Sequence, residues 1–257
     1  MFNIIVISDT HGYLPKIEKE FDLLLVGGDI APNKEYGGYF ECEYQREWFQ
    51  NEFVPWVMNL PFKDITSKVV FIAGNHDFYL ESESEAYKVG YSSIWTDIIH
   101  PCYNRLVYLY DQVFQVNKET DGKIEWLKIY GTPWCKKFGS WAFMVSNEKL
   151  KAAFDQIPND LDILLTHDAP KLPPHGFITD GYYAGEDAGN APLADAVKEK
   201  KPKFHFYGHI HSSSHEMNVP EGCETKVVCV SINDESYSPT YEPFEIQIEG
   251  HFEEKAI

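Results

Sequence analysis

The sequence predicts an α/β layered fold, and three observations carry that expectation. Short apolar runs rich in Val, Ile, Leu and Phe recur at residues 4–7, 23–26, 69–73, 161–165, 204–207 and 227–230. They are continuous rather than alternating, as strands buried on both faces are. Helix candidates lie between them at residues 42–59, interrupted by Pro55, at 147–156 and at 192–200. Strands alternating with helices imply layered α/β packing. The middle, residues 105–130, reads as shorter strands with Asp121-Gly122 as a hairpin turn, and it offers a second sheet together with the tail at 244–248. No repeat, low-complexity tract or Gly/Ser linker divides the chain, so residues 1–257 are expected to form one domain.

Charge and cysteine usage narrow the function classes. Forty acidic against 22 basic residues give a formal charge of −18, a field that repels long nucleic acid and anionic membranes. The longest basic cluster, at 198–203, is interrupted by Glu199 and Pro202 and reads as a solvated helix end. Cys42, Cys102, Cys135, Cys223 and Cys229 are scattered, without the close pairs that bind structural zinc. The opening residues lack the basic start of a secretory signal, and no apolar run approaches spanning length. A cytoplasmic location is expected.

The residues that follow the strands are more telling than the strands. The run at 4–7 leads into Ser8-Asp9-Thr10-His11-Gly12, that at 23–26 into Gly27-Gly28-Asp29, and that at 69–73 into Gly74-Asn75-His76-Asp77. Further on, 161–165 ends in Thr166-His167-Asp168, and 204–207 in Gly208-His209-Ile210-His211. Five strands thus deliver Asp, Asn or His at their C-terminal ends, where α/β sheets place ligand crevices. Gly27, Gly28, Gly74 and Gly208 fit turns that bring backbone close to such a site, whereas Gly12 reads equally well as an ordinary turn glycine.

Four imidazoles, two carboxylates and a carboxamide form a mixed N/O set. It suits divalent manganese, iron or zinc, with magnesium less natural beside so many histidines. Seven donors exceed one four-coordinate site and suit two metals sharing a carboxylate, the arrangement that clamps both oxygens of an in-line phosphoryl displacement.

The ordered series Asp9-x-His11, Gly28-Asp29, Gly74-Asn75-His76-Asp77, His167 and Gly208-His209-x-His211, spanning residues 8–211, resembles the calcineurin-like metallophosphoesterase superfamily. The resemblance implies that family's fold, a two-sheet β-sandwich core flanked by helices with the metal site at strand C-terminal ends. It further implies that Asp9, His11 and His211 hold one ion, that Asn75, His167 and His209 hold the other, and that Asp29 bridges them. His76 becomes the group that protonates the leaving oxygen or stabilises phosphoryl charge. An imidazole suits that task near neutral pH. Successive side chains on an extended segment point apart, which leaves His76 free to face substrate beside its ligand neighbour.

Thr166-His167-Asp168-Ala169-Pro170, residues 187–190 before a helix and Gly208-His209-Ile210-His211 narrow the resemblance to the small phosphodiesterase-like branch. That branch includes metallophosphoesterase-domain proteins with weak cyclic-nucleotide hydrolysis, and it commonly has Gly-Pro-Pro where this chain has Asp168-Ala169-Pro170. A small phosphoester substrate such as a nucleotide is therefore expected. A phosphomonoesterase, a nuclease or a non-catalytic interaction module on the same fold are the alternatives. Asp77 either orients His76 or a ligand, or caps a helix beginning at Phe78. Tyr36, Tyr39, Phe40, Tyr182 and Tyr183 are candidates to stack a flat group, or simply close loops over the core. His175, His205 and His215 are left over from the ligand count.

Overall fold

A computed structural model describes residues 1–34 and 37–254 of the chain. In chain order the elements are β1 (Phe2–Ile7), β2 (Leu23–Val26), α1 (Cys42–Trp48), α2 (Val54–Met58), β3 (Lys68–Phe71) and α3 (Phe78–Lys88). Then come β4 (Leu106–Tyr108), β5 (Gln112–Thr120), β6 (Lys123–Thr132), β7 (Cys135–Lys136), β8 (Met144–Val145), α4 (Asn147–Phe154) and β9 (Ile163–Thr166). The last are α5 (Ala191–Lys200), β10 (Phe204–Tyr207), β11 (Lys226–Cys229), β12 (Phe244–Ile248) and β13 (His251–Glu254).

Two sheets form the core, as the fold class requires. One has the order β12-β1-β2-β3-β4, parallel except for β12. The other runs β11-β10-β9-β6, all parallel, and β5 pairs antiparallel with β6. Neighbouring residues of one strand serve different layers, which is why the runs show no polar alternation. In the segment after Lys68, Val70 and Ile72 pack between the sheets with Ile129, Leu165 and Phe206. Val69 and Phe71 face the other way, against Phe49, Phe53 and Phe78 of the helical layer. On the far side, Tyr130 and Leu164 pack on α4 and α5 through Leu150, Phe154, Leu193 and Val197.

The structure corrects three expectations. Pro55 does not break its helix. The turn Phe49–Phe53 widens to a π turn closed by Val54 N–H on Phe49 C=O, and Pro55 falls in the first turn of α2, where a missing donor costs least. The middle strands are long rather than short, joined at Asp121 and Gly122, both with positive φ as a two-residue hairpin needs. The tail at 244–248 joins the first sheet beside β1, and it is the following β13 that joins the second, beside β6. The chain end therefore bridges the two sheets.

Two buried histidines set an acid limit on stability. His205 donates from Nε2 to Thr166 Oγ1 at 2.8 Å, and His175 contacts the Tyr207 hydroxyl at 2.8 Å and Asn218 Oδ1 at 3.3 Å. Burial brings His205 down to about 3, with the His175 charge adding to it, and brings His175 to about 4 against the Asn218 hydrogen bond. Below pH 6.5 the unfolded chain takes up protons that the folded chain refuses. Their stabilising contribution is complete above pH 6.5 and is lost as pH falls toward 4. Each contributes a slope of about 1.4 kcal/mol per pH unit in that window. Urea unfolding of His175→Asn beside the wild type, at pH 7 and pH 5, should show the variant losing less stability on acidification; identical losses would exclude His175 as an acid-sensitive group.

Candidate metal centre

The turns beyond β1, β2 and β3 in one sheet and β9 and β10 in the other meet at a common rim. They are laced together by backbone: Asp9 N–H donates to Gly28 C=O at 3.0 Å, His11 N–H to Asp29 C=O at 2.9 Å, and Gly208 N–H to His167 C=O at 3.1 Å. Asp9, His11, Asp29 and His209 all carry left-handed backbone, with φ between 44° and 67°. Non-glycine residues held there cost about 1–3 kcal/mol each and persist only where the surroundings over-determine them. Gly74 and Gly208 permit the close approach, since a Cβ on Gly74 would run into Asp29 Oδ1 and one on Gly208 into Asp9 Oδ2.

Every donor named from the sequence reaches this rim. The Asp29 carboxylate is central: Oδ1 lies 3.3 Å from His167 Nε2, while Oδ2 lies 3.8 Å from His11 Nε2 and 3.9 Å from His76 Nε2. On one side Asp9 Oδ1 is 3.4 Å from His211 Nε2, itself 3.2 Å from His11 Nε2. On the other, Asn75 Oδ1 is 3.0 Å from His167 Nε2, and the ring of His209 lies against that of His167 at 5.2 Å. Ligating atoms of Asp9, His11 and His211 lie within 4.8 Å of one another, as do those of Asp9, Asp29 and His167.

The donor set fits divalent metals by its tautomers. His167 Nδ1 is 2.9 Å from Gly27 C=O, and His211 Nδ1 is 2.8 Å from Asp234 C=O. A carbonyl only accepts, so Nδ1 carries hydrogen in both rings and the other nitrogen, Nε2, points at the carboxylates, as it does in metal-ligating histidine. Electrostatics agree. Burial works against the Asp29 charge, but the imidazoles of His167 and His76 overcome it and hold the carboxyl well below the usual range. Asp9 is likewise buried, yet hydrogen bonding and charge from His211 bring it to about 2.

His76 and Asp77 differ from expectation in detail. Asn75 and His76 lie in a turn, closed by Asp77 N–H on Gly74 C=O at 3.2 Å, rather than in an extended segment. Their side chains nevertheless part, Asn75 toward His167 and His76 toward Asp29 Oδ2. Asp77 does not cap α3 with its side chain, and His76 Nδ1 meets Asn33 instead. The buried Asp77 carboxylate accepts from the backbone of Ile30, Ala31 and Gly74, tying the Asp29 turn to the Asn75 turn.

Above the cluster is a cleft of about 140 Å³ lined by Asp29, Asn75, His76, His209 and His211 with Phe138, Trp141, Glu235 and Tyr237. Trp141 stacks on His76 at 4.4 Å, and Tyr237 meets His11 edge-on at 4.6 Å. The aromatic candidates from the sequence, Tyr39, Phe40, Tyr182 and Tyr183, are exposed and outside this lining; Tyr36 lies outside the described residues. His175, His205 and His215 stay out of the cluster, His215 stacking on Tyr241 at 3.7 Å. Cys135 joins the rim without a signal in the sequence, its sulfur falling within 4.8 Å of His167 and His209 ligating atoms. Cys135, Trp141 and Tyr237 have no local donor pattern around them, so spacing cannot single them out.

The chain is also similar to known proteins. A UPF0046 protein of Caenorhabditis elegans, C25E10.12, is 28% identical over 93% of this chain and 78% of its own length. Human metallophosphoesterase domain-containing protein 1 is 26% identical over 95% of this chain and 70% of its own. Among solved structures, phosphopantetheinyl hydrolase from Mycobacterium tuberculosis aligns over 91% of this chain and 90% of that one, at 15% identity and a TM-score of 0.48. Residues 2–213 match the calcineurin-like phosphoesterase family, and the chain belongs to that family of metal-dependent phosphoric ester hydrolases.

Proposed function

We propose that the protein is a di-metal phosphodiesterase for small substrates such as nucleotides or cyclic nucleotides. Asp9, His11 and His211 would hold one ion, Asn75, His167 and His209 the other, and Asp29 would bridge them. The observation that carries this reading is the Asp29 carboxylate, with one oxygen toward His167 and the other toward His11. Two divalent ions, manganese, iron or zinc by the donor set, supply positive charge against the phosphoryl oxygens. The chain's own residues do the rest: His76 faces the cleft as a hydrogen-bond donor to the phosphoryl group or leaving oxygen, and Phe138, Trp141 and Tyr237 wall the cleft for a flat leaving group. The −18 charge favours a small substrate over long nucleic acid, and the five unpaired cysteines favour the cytoplasm.

Diester preference draws on the cleft lining, which contains no lysine or arginine among the described residues and includes the Glu235 carboxylate. A dianionic monoester meets more repulsion there than a monoanionic diester. With manganese, a panel of cyclic nucleotides, dinucleotides, mononucleotides and nitrophenyl mono- and diesters should give higher kcat/KM for diesters. Faster turnover of the monoesters would overturn the preference and leave a phosphomonoesterase.

A further inference from the structure

The His76 ring is held by a hydrogen-bond chain that begins at a backbone amide and whose direction is fixed. Tyr79 lies in the first turn of α3, where N–H groups lack helical partners. Asp77 leaves that end uncapped, and Tyr79 N–H donates instead to Gln45 Oε1 of α1 at 3.0 Å. Gln45 Nε2 donates to His76 C=O at 2.7 Å. A backbone donor on one side and a backbone acceptor on the other allow only one orientation of the Gln45 amide. The same Nε2 reaches Asn33 Oδ1 at 3.2 Å, which in turn sets the Asn33 amide, so that Asn33 Nδ2 faces His76 Nδ1. An amide N–H meets Nδ1 only where Nδ1 carries a lone pair.

We infer that Gln45 and Asn33 are positioning residues that hold His76 as the neutral Nε2–H tautomer, a hydrogen-bond donor that stabilises charge on the leaving oxygen while keeping its proton. Gln45 is fully buried and Asn33 sits at the edge of the site, so the chain runs from the helical layer to the cleft without a charged group. A carboxylate partner at Nδ1 would require hydrogen there; the carboxamide does the opposite and leaves Nδ1 as acceptor. The inference rests on the proposed role of His76 at the leaving oxygen, but the tautomer is measurable without turnover.

The test uses zinc-loaded protein with ¹⁵N-labelled histidine, the His76 signals being assigned by their loss in His76→Gln. Long-range ¹H–¹⁵N spectra should show Nε2 protonated and Nδ1 unprotonated in the wild type. In Asn33→Leu the two tautomers should mix, and kcat/KM on an alkyl phosphodiester should fall about tenfold or more while nitrophenyl diester turnover changes little. Gln45→Glu should go further and place hydrogen on Nδ1, with a similar loss on the alkyl ester, because its carboxylate accepts from Asn33 Nδ2 and turns the Asn33 oxygen toward Nδ1. A wild-type spectrum with hydrogen on Nδ1, or an Asn33→Leu protein with unchanged spectrum and unchanged alkyl-ester turnover, overturns the inference. Should the wild type hydrolyse neither ester with any metal, the phosphodiesterase reading fails, and the spectra still decide the tautomer.

Discussion

Asp29→Ala is expected to leave the protein without its two-ion centre and to lower phosphoester turnover by at least about 10³-fold. A two-metal clamp is worth several kcal/mol in the transition state, and each 1.36 kcal/mol is tenfold in rate. Asp29 is singled out because its two oxygens face separate donor groups, His167 on one side and His11 with His76 on the other. In the proposed assignment any other ligand would serve one ion, and Asp29 would serve both. The carboxylate also accepts from His76 N–H at 2.7 Å, so truncation to alanine loosens the catalytic turn as well. Asp29→Asn separates the two effects. It keeps an acceptor for His76 N–H but has neither the charge nor the second acceptor oxygen that bridging requires. Both variants should lose metal by elemental analysis of dialysed protein, with Asp29→Asn retaining the thermal stability that Asp29→Ala gives up. Two tightly held ions per chain in either variant would end the bridging assignment.

That these seven residues meet at one rim was legible because each sits two to four residues past an apolar run, where the period of the chain changes and a local pattern exposes it. What the sequence cannot show is which distant segments close over that rim. Asn33 lies beyond the Asp29 turn, Gln45 on a helix, and Trp141 and Tyr237 on loops far along the chain, yet they bear on one imidazole or its neighbours. None stands in a motif, since their roles exist only after packing. Asp77 shows a related limit. Its place before a helix suggests a cap, but its burial at the joint of two turns gives it three backbone donors to satisfy, and Gln45 takes over the capping. The tail is ambiguous for a similar reason: residues 244–248 and 251–254 both form strands, and only the partner strand decides which sheet receives each.

His76→Ala is expected to keep both metals and to lose about 10²- to 10⁴-fold in kcat on alkyl or ribose phosphodiesters, the range for catalytic help at a basic leaving oxygen. On a nitrophenyl ester the loss should be much smaller, because that leaving group departs without a proton. The geometry makes this a real contest between two roles. His76 Nε2 belongs to a group with His11 and Asp29 whose ligating atoms lie within 4.8 Å of one another, so proximity alone would admit it as a ligand. Its other nitrogen argues against that. His167 and His211 turn Nδ1 to backbone carbonyls and so leave Nε2 free to bind metal, whereas His76 Nδ1 faces the Asn33 amide donor, which keeps the proton on Nε2. The ring is also stacked on Trp141 in the wall of the cleft. Metal analysis and the two esters together separate the outcomes. Equal losses on both esters would remove the hydrogen bond to the leaving oxygen and leave stabilisation of phosphoryl charge alone, while loss of an ion from His76→Ala would make His76 a ligand.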